Sequence, residues 1–201
     1  MLNNFIAFTK MITEERINVN YTNWIGRLKK YNSYSEEMID EIGADIANAS
    51  FALNQDSGSA YQGSMIDVVL NKLCMFAYSV NTTFTESHPA LAVNSDMLMR
   101  VLLLQHISKC EMFTPETSDY WIKRGNIYKF SDTTEASLKV GERSIYLCQK
   151  YGIKLNELEY EAMRIIDKDD DKTNMYENPL AFIVKMANRA VAIEQYRSTN
   201  G

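Results

Sequence analysis

The chain predicts an all-α helical bundle interrupted by one small β-hairpin. Apolar residues recur at three- and four-residue spacing along nearly its whole length, as in helices that bury one stripe. Glycine and proline are scarce, 8 and 3 in 201 residues, which suits long helices with few tight turns. Only between residues 113 and 132 does the period change.

The elements follow in order. A first helix is expected over residues 4–18 and a second over 21–31. Ser33-x-x-Glu36 forms a capping box that opens a third helix, with Met38, Ile39, Ile42 and Ile46 at helical spacing. Residues 54–63, with Gly58 and Gly63, read as a polar loop; Tyr61 and Gly63 shape its backbone, and Gly63 suits a positive φ. The stretch 64–84 is apolar on most sides (Met65, Ile66, Val68, Val69, Leu70, Leu73, Met75, Phe76, Val80), which places it at the centre of the bundle. After a loop with Pro89, Asn94 or Ser95 caps a helix over 95–110. Trp121–Lys123 and Ile127–Phe130, joined by Arg124-Gly125-Asn126, read as the hairpin, with Trp121 and Tyr128 stacked across it or covering a pocket or partner surface. Thr133 or Thr134 then caps a helix that stops at Tyr151-Gly152. Asn156 opens a helix to about 167, residues 168–172 form a charged loop, and Asn178-Pro179 starts a last helix that reaches about Arg197.

At 46% hydrophobic and 23% charged, 201 residues make one globular domain, with N-terminal helices over 1–45 packing on a core over 45–197. A net charge of -5 without a basic run argues against nucleic acid as a partner, while leaving room for a small anion at a local site. Three cysteines, Cys74, Cys110 and Cys148, are too few and too scattered for a disulfide framework; buried reduced thiols in a cytoplasmic protein are expected. The N-terminal stretch has no basic region and no long apolar run, so neither a signal peptide nor a membrane span is expected.

Four segments, in order, carry a family resemblance. They are Ala60-Tyr61-Gln62-Gly63-Ser64-Met65-Ile66-Asp67-Val68, Gln105-His106-Ile107-Ser108-Lys109, Val140-Gly141-Glu142-Arg143-Ser144, and the helix Leu180–Ala190. Together they resemble the metal-ligand helices of HD-domain phosphohydrolases over residues 45–197. The resemblance implies an HD-like helical bundle and an ancestral metal-dependent phosphohydrolase activity. It places the family's metal ligands on Val68, Gln105, His106 and Asn188, with accessory positions on Val140 and Ile166. A divalent cation needs carboxylates or neutral imidazoles in place of its water shell. Valine offers no lone pair, and Gln and Asn contribute no charge, so no metal is expected at this vestigial site.

The remaining polar residues admit two readings each. His106 is a hydrogen-bonded core residue or, at four-residue spacing from Cys110, part of a zinc site that lacks further ligands. Lys109 and Arg143 stand where the family carries lysines. With Glu142 and Tyr61 they are candidates for binding an anion, although Lys109 is as well placed for a structural bridge to Glu142. Asp169-Asp170-Asp171 lacks calcium-loop spacing and reads as a solvated loop.

Three functions follow as expectations. The first is a metal-less, catalytically inactive HD-like module that binds a small phosphorylated ligand or a protein partner. The second is a phosphohydrolase with a rebuilt manganese or magnesium site drawing on His106, Asp67, Glu142 and Asp167. The third is a metal-independent sensor for a nucleotide or other phosphorylated ligand, using Lys109 and Arg143.

Overall fold

Side-chain caps set the helical frame. In the computed structural model, which describes residues 12–132, 137–166 and 177–200, the Thr13 hydroxyl accepts from the Arg16 N–H and opens α1, Glu14–Lys30. α1 is one helix where two were expected, because Asn18, Asn20 and Thr22 are poor helix formers that tertiary bonding overrides. Asn20, for example, is buried and donates to Asp67. The part of the expected first helix before residue 12 lies outside the described residues. α1 ends in a Schellman turn: Asn32 takes φ 53° and the Ser33 N–H returns to Leu28 O at 2.8 Å.

α2, Glu36–Asn48, is capped by Ser35 rather than by Ser33. Ser33 is buried and its hydroxyl is bonded to Tyr31 O and to the Arg100 guanidinium. The loop after α2 is cross-braced by Ser64, whose hydroxyl donates to Ser59 O and accepts from the Phe51 N–H. Gly63 at φ 77° turns it into α3, Ser64–Val68, and a Cβ there would stand 2.7 Å from Ile17. α3 runs through a π-helical turn, Val69–Leu73, into α4, Cys74–Ser87.

α5, Ser95–Leu104, is capped by Asn94 as expected and shares the centre of the bundle with the first half of the 64–84 stretch, whose Met65, Ile66, Val68, Val69, Leu70 and Leu73 are buried as expected. It packs against α1, α4, α9 and α10, and Leu98, Val101, Leu102, Leu103 and Leu104 are all buried. α4 instead shows an outer face, with Met75 62% and Tyr78 57% exposed. The helix expected to reach residue 110 breaks into turns after Leu104 and resumes as α6, Lys109–Met112.

The hairpin exists with a different first strand. β1, Phe113–Pro115, pairs antiparallel with β2, Tyr128–Phe130, in the register Phe113 to Phe130. Trp121 lies in a short helix, α7, Asp119–Ile122, so the stack expected with Tyr128 is replaced by an edge contact to Tyr120; Phe113 and Phe130 meet across the strands.

α8 is Val140–Lys150 and begins after the expected Thr133 and Thr134, which lie outside the described residues. Its start is closed by the Glu142 carboxylate, which accepts from the Lys139 N–H. Gly152 at φ 69° ends it in a second Schellman turn. Asn156 and Glu159 form a reciprocal capping box at α9, Glu157–Arg164. The Asn178 amide caps α10, Pro179–Asn200. One hydrophobic core joins α1 and α2 to the later helices, from Trp24 and Met38 through Leu102 to Val184. Among the described residues no helix is long and apolar enough to cross a membrane.

Candidate functional site

The turn that follows α5 turns two polar side chains into the interior. Gln105 is completely buried and His106 is 6% exposed. Asn188, midway along α10, meets both: its Oδ1 lies 2.9 Å from His106 Nε2, and its Nδ2 donates to Gln105 Oε1 at 3.0 Å and to Val184 O at 2.9 Å. With Nδ2 fully committed as donor, Oδ1 is the acceptor, so Nε2 of His106 carries the proton and Nδ1 holds a lone pair. That Nδ1 and the Gln105 Nε2 are buried without hydrogen-bond partners. The Phe51 ring meets the imidazole edge-on at 4.9 Å.

Burial holds the His106 imidazole neutral, with its pKa well below the ordinary value; the Lys109 ammonium pushes the same way and the Asn188 bond opposes both. The consequence for stability has a definite sign. Below about pH 6.5 the unfolded chain takes up a proton that folded His106 refuses, so stability falls toward acid by at most about 1.4 kcal/mol per pH unit. Urea unfolding of the wild type between pH 7 and pH 5 should therefore lose more stability than that of His106→Gln, by up to about 2 kcal/mol.

Lys109 is 7% exposed and points inward. Its Nζ donates to Phe51 O at 2.6 Å and lies 3.6 Å from the Phe51 ring centroid. Arg143 on α8 is held by Glu111 on α6, with Nε and Nη2 at 2.9 and 2.7 Å from the same carboxylate oxygen. The two cations expected to meet an anion are thus both turned onto protein groups, and Glu142, expected opposite Lys109, caps its own helix.

Tyr61 belongs to a separate cluster. Its buried hydroxyl donates to Asp67 Oδ2 at 2.7 Å, while Asp67 Oδ1 accepts from Asn20 and Asn71. Burial, and then Asp67, raise the Tyr61 pKa and keep the phenol neutral. Val68, one residue on, is sealed in the core. At the start of α8, Val140 O accepts from the Ser108 hydroxyl and Ser144 bonds Ser108, tying the α5–α6 turn to α8. Ile166 packs against the core, and Asp167 lies outside the described residues. His88 sits at the end of α4 beside Ser87 and Phe84.

The three cysteines are free; burial pushes the Cys74 thiol up to about 11 and the Cys148 thiol up to about 12. The residues at the expected ligand positions do not fit a divalent cation: Val68 has no donor atom, the proton on His106 Nε2 blocks that nitrogen, and Gln105 and Asn188 are neutral amides bonded to one another. Among the described residues no group of three or more His, Cys, Asp or Glu side chains is placed to hold a metal ion, and that includes His106 with Cys110.

Of the residues singled out in the sequence, the structure brings together Gln105, His106 and Asn188, with Lys109 beside them. It separates Tyr61 and Arg143 into other clusters. Asn20, Phe51 and Glu111 were missed. Each acts through a partner distant in sequence, and no local spacing marks it. No protein-family model, no curated protein and no solved structure matches the chain.

Proposed function

We propose that the chain is a metal-less, HD-like helical domain that acts as a binding or interaction module and not as a phosphohydrolase. One observation carries this reading. Residues from two of the motif segments, Gln105 and His106 after α5 and Asn188 on α10, meet as a neutral hydrogen-bonded cluster in which Gln105 and His106 are buried and Asn188 is half-buried. Their meeting agrees with an HD-like arrangement of the two helices, and their neutrality removes the charge that a catalytic cation requires. A protein partner fits better than a phosphorylated small molecule, because Lys109 and Arg143 are already engaged.

The rebuilt-site alternative requires Asp67 and His106 to share a cation. Asp67 is occupied by Tyr61, Asn20 and Asn71, whereas His106 is bound to Asn188. The deciding experiment is metal analysis of protein purified without chelator, repeated after manganese loading and desalting, alongside a phosphate-ester hydrolysis screen. The proposal expects sub-stoichiometric metal and no hydrolysis that depends on His106. Manganese-dependent turnover that disappears in His106→Ala would overturn it.

A further inference from the structure

Six successive residues, Asp119–Arg124, are all exposed, and three of them are large and apolar: Tyr120 at 55%, Trp121 at 46% and Ile122 at 39%. Phe130 on the neighbouring β2 adds a further ring at 59% exposed. Such a run on a surface otherwise free to be polar marks an interaction site.

The run is rigid. The Glu116 carboxylate accepts from the Thr117 and Ser118 N–H groups, the Ser118 carbonyl accepts from Trp121 and Ile122, and the Trp121 carbonyl accepts from Arg124 and Asn126. Gly125, at φ 87°, closes the turn against Gln55. A platform held this way loses little entropy when a partner docks.

The side chains on it are already arranged. Tyr120 and Trp121 meet edge to face at 5.0 Å, and the Arg124 guanidinium lies 3.9 Å from the Tyr120 ring centroid. Neither Lys123 nor Arg124 forms an ion pair among the described residues. Two cations outside any ion pair thus lie beside three apolar side chains on a chain of net charge -5, with the Glu116 carboxylate turned onto the backbone at the start of the run. Asp119 shares α7, and Asp132 pairs with Lys129 next to the patch, so the positive area is narrow.

We propose that this platform docks a short acidic segment of a partner protein, with an apolar side chain of the partner on Trp121 and a carboxylate on Lys123 and Arg124. Charge complementarity selects this occupant. A narrow cationic spot accommodates one or two carboxylates, whereas a nucleic acid or an anionic bilayer spreads many charges and meets the repulsion of the whole chain. Trp, Tyr and Arg are the residue types that dominate such interfaces. The inference does not depend on the HD-like reading, since α7 carries none of the motif residues.

The test uses the full chain as bait for a displayed library of random dodecapeptides, with a single-stranded thymidine oligonucleotide and phosphatidylserine vesicles as further probes. The expected result is enrichment of peptides that combine Asp or Glu with a large apolar residue. Their affinity should fall about tenfold or more in Trp121→Ala and in Arg124→Glu, stay unchanged in Leu158→Ala, and weaken as salt is raised. Unchanged unfolding midpoints establish that each variant is folded, and Arg124→Glu serves alone if Trp121→Ala is not. No enrichment, enrichment of peptides without acidic residues, binding that survives both substitutions, or binding of the oligonucleotide or vesicles in place of peptides would each overturn the proposal.

Discussion

Replacing Trp24 with alanine is expected to lower the unfolding free energy by about 3–5 kcal/mol. Trp24 is 1% exposed on α1 and faces the last turn of α5, where its indole Nε1 donates to Leu103 O at 3.1 Å. That carbonyl falls among the final four of its helix, which have no partner within the helix itself. Trp24 therefore does two things at once. It fills the space between α1 and the central helix, and it satisfies a helix end that would otherwise be a bare buried acceptor. Trp24→Phe separates the two: it keeps most of the volume, loses the donor and should cost about 1–2 kcal/mol. Equilibrium urea unfolding of both variants checks this. Equal losses would show that the hydrogen bond, not the packing, dominates.

Replacing Asn188 with alanine should cost about 2–5 kcal/mol, although the amide is one small side chain. The substitution strands the His106 Nε2–H and the Gln105 Oε1 together, in a place where Gln105 Nε2 and His106 Nδ1 already lack partners. An unsatisfied buried polar group costs far more than a satisfied one contributes. The double variant Asn188→Leu, His106→Leu removes the stranded His106 donor as well, leaves only the Gln105 amide without a partner, and should recover part of the loss. Urea titrations of Asn188→Leu, His106→Leu and the double variant close the cycle and give the coupling directly, and strict additivity would mean that the two side chains do not act as a unit.

What could be read from the sequence was local. Asn94, Asn156 and Asn178 announce their helices because a cap bonds within three residues of itself, and the structure keeps all three. Gly63 and Gly152 likewise mark positive-φ turns. The misreadings arise where a distant partner decides. Trp121-Ile122-Lys123 has the composition of a strand, yet Ser118 O gathers the N–H groups of Trp121 and Ile122 into a helical turn. The true partner of β2, Phe113–Pro115, was hidden because it follows a helix with no turn residue between. At the site, the meeting of His106 with Asn188, 82 positions away, was expected only through the family resemblance. The inward turn of Lys109 onto Phe51 and the Arg143–Glu111 pair left no sequence signal at all.

The π-helical turn at Val69–Leu73 makes the effect of a length change depend on where along the α3–α4 segment it falls. A π turn is an α-helix carrying one surplus residue, and each residue of an α-helix advances the phase by about 100°. The wider turn absorbs the surplus: Met65, Ile66 and Val68 are buried before it, and Cys74, Ala77 and Asn81 after it. Excising a single residue within the turn would restore a regular helix and leave the residues downstream on the faces they now occupy. Excising Met75 instead, in the regular helix beyond it, would rotate everything downstream by about a quarter turn. Ala77 and Asn81 would then leave the interior, and Tyr78 and Thr82 would take their places. Substitutions along this rod are judged one side chain at a time, but a one-codon deletion past the π turn would alter a whole face of α4 at once.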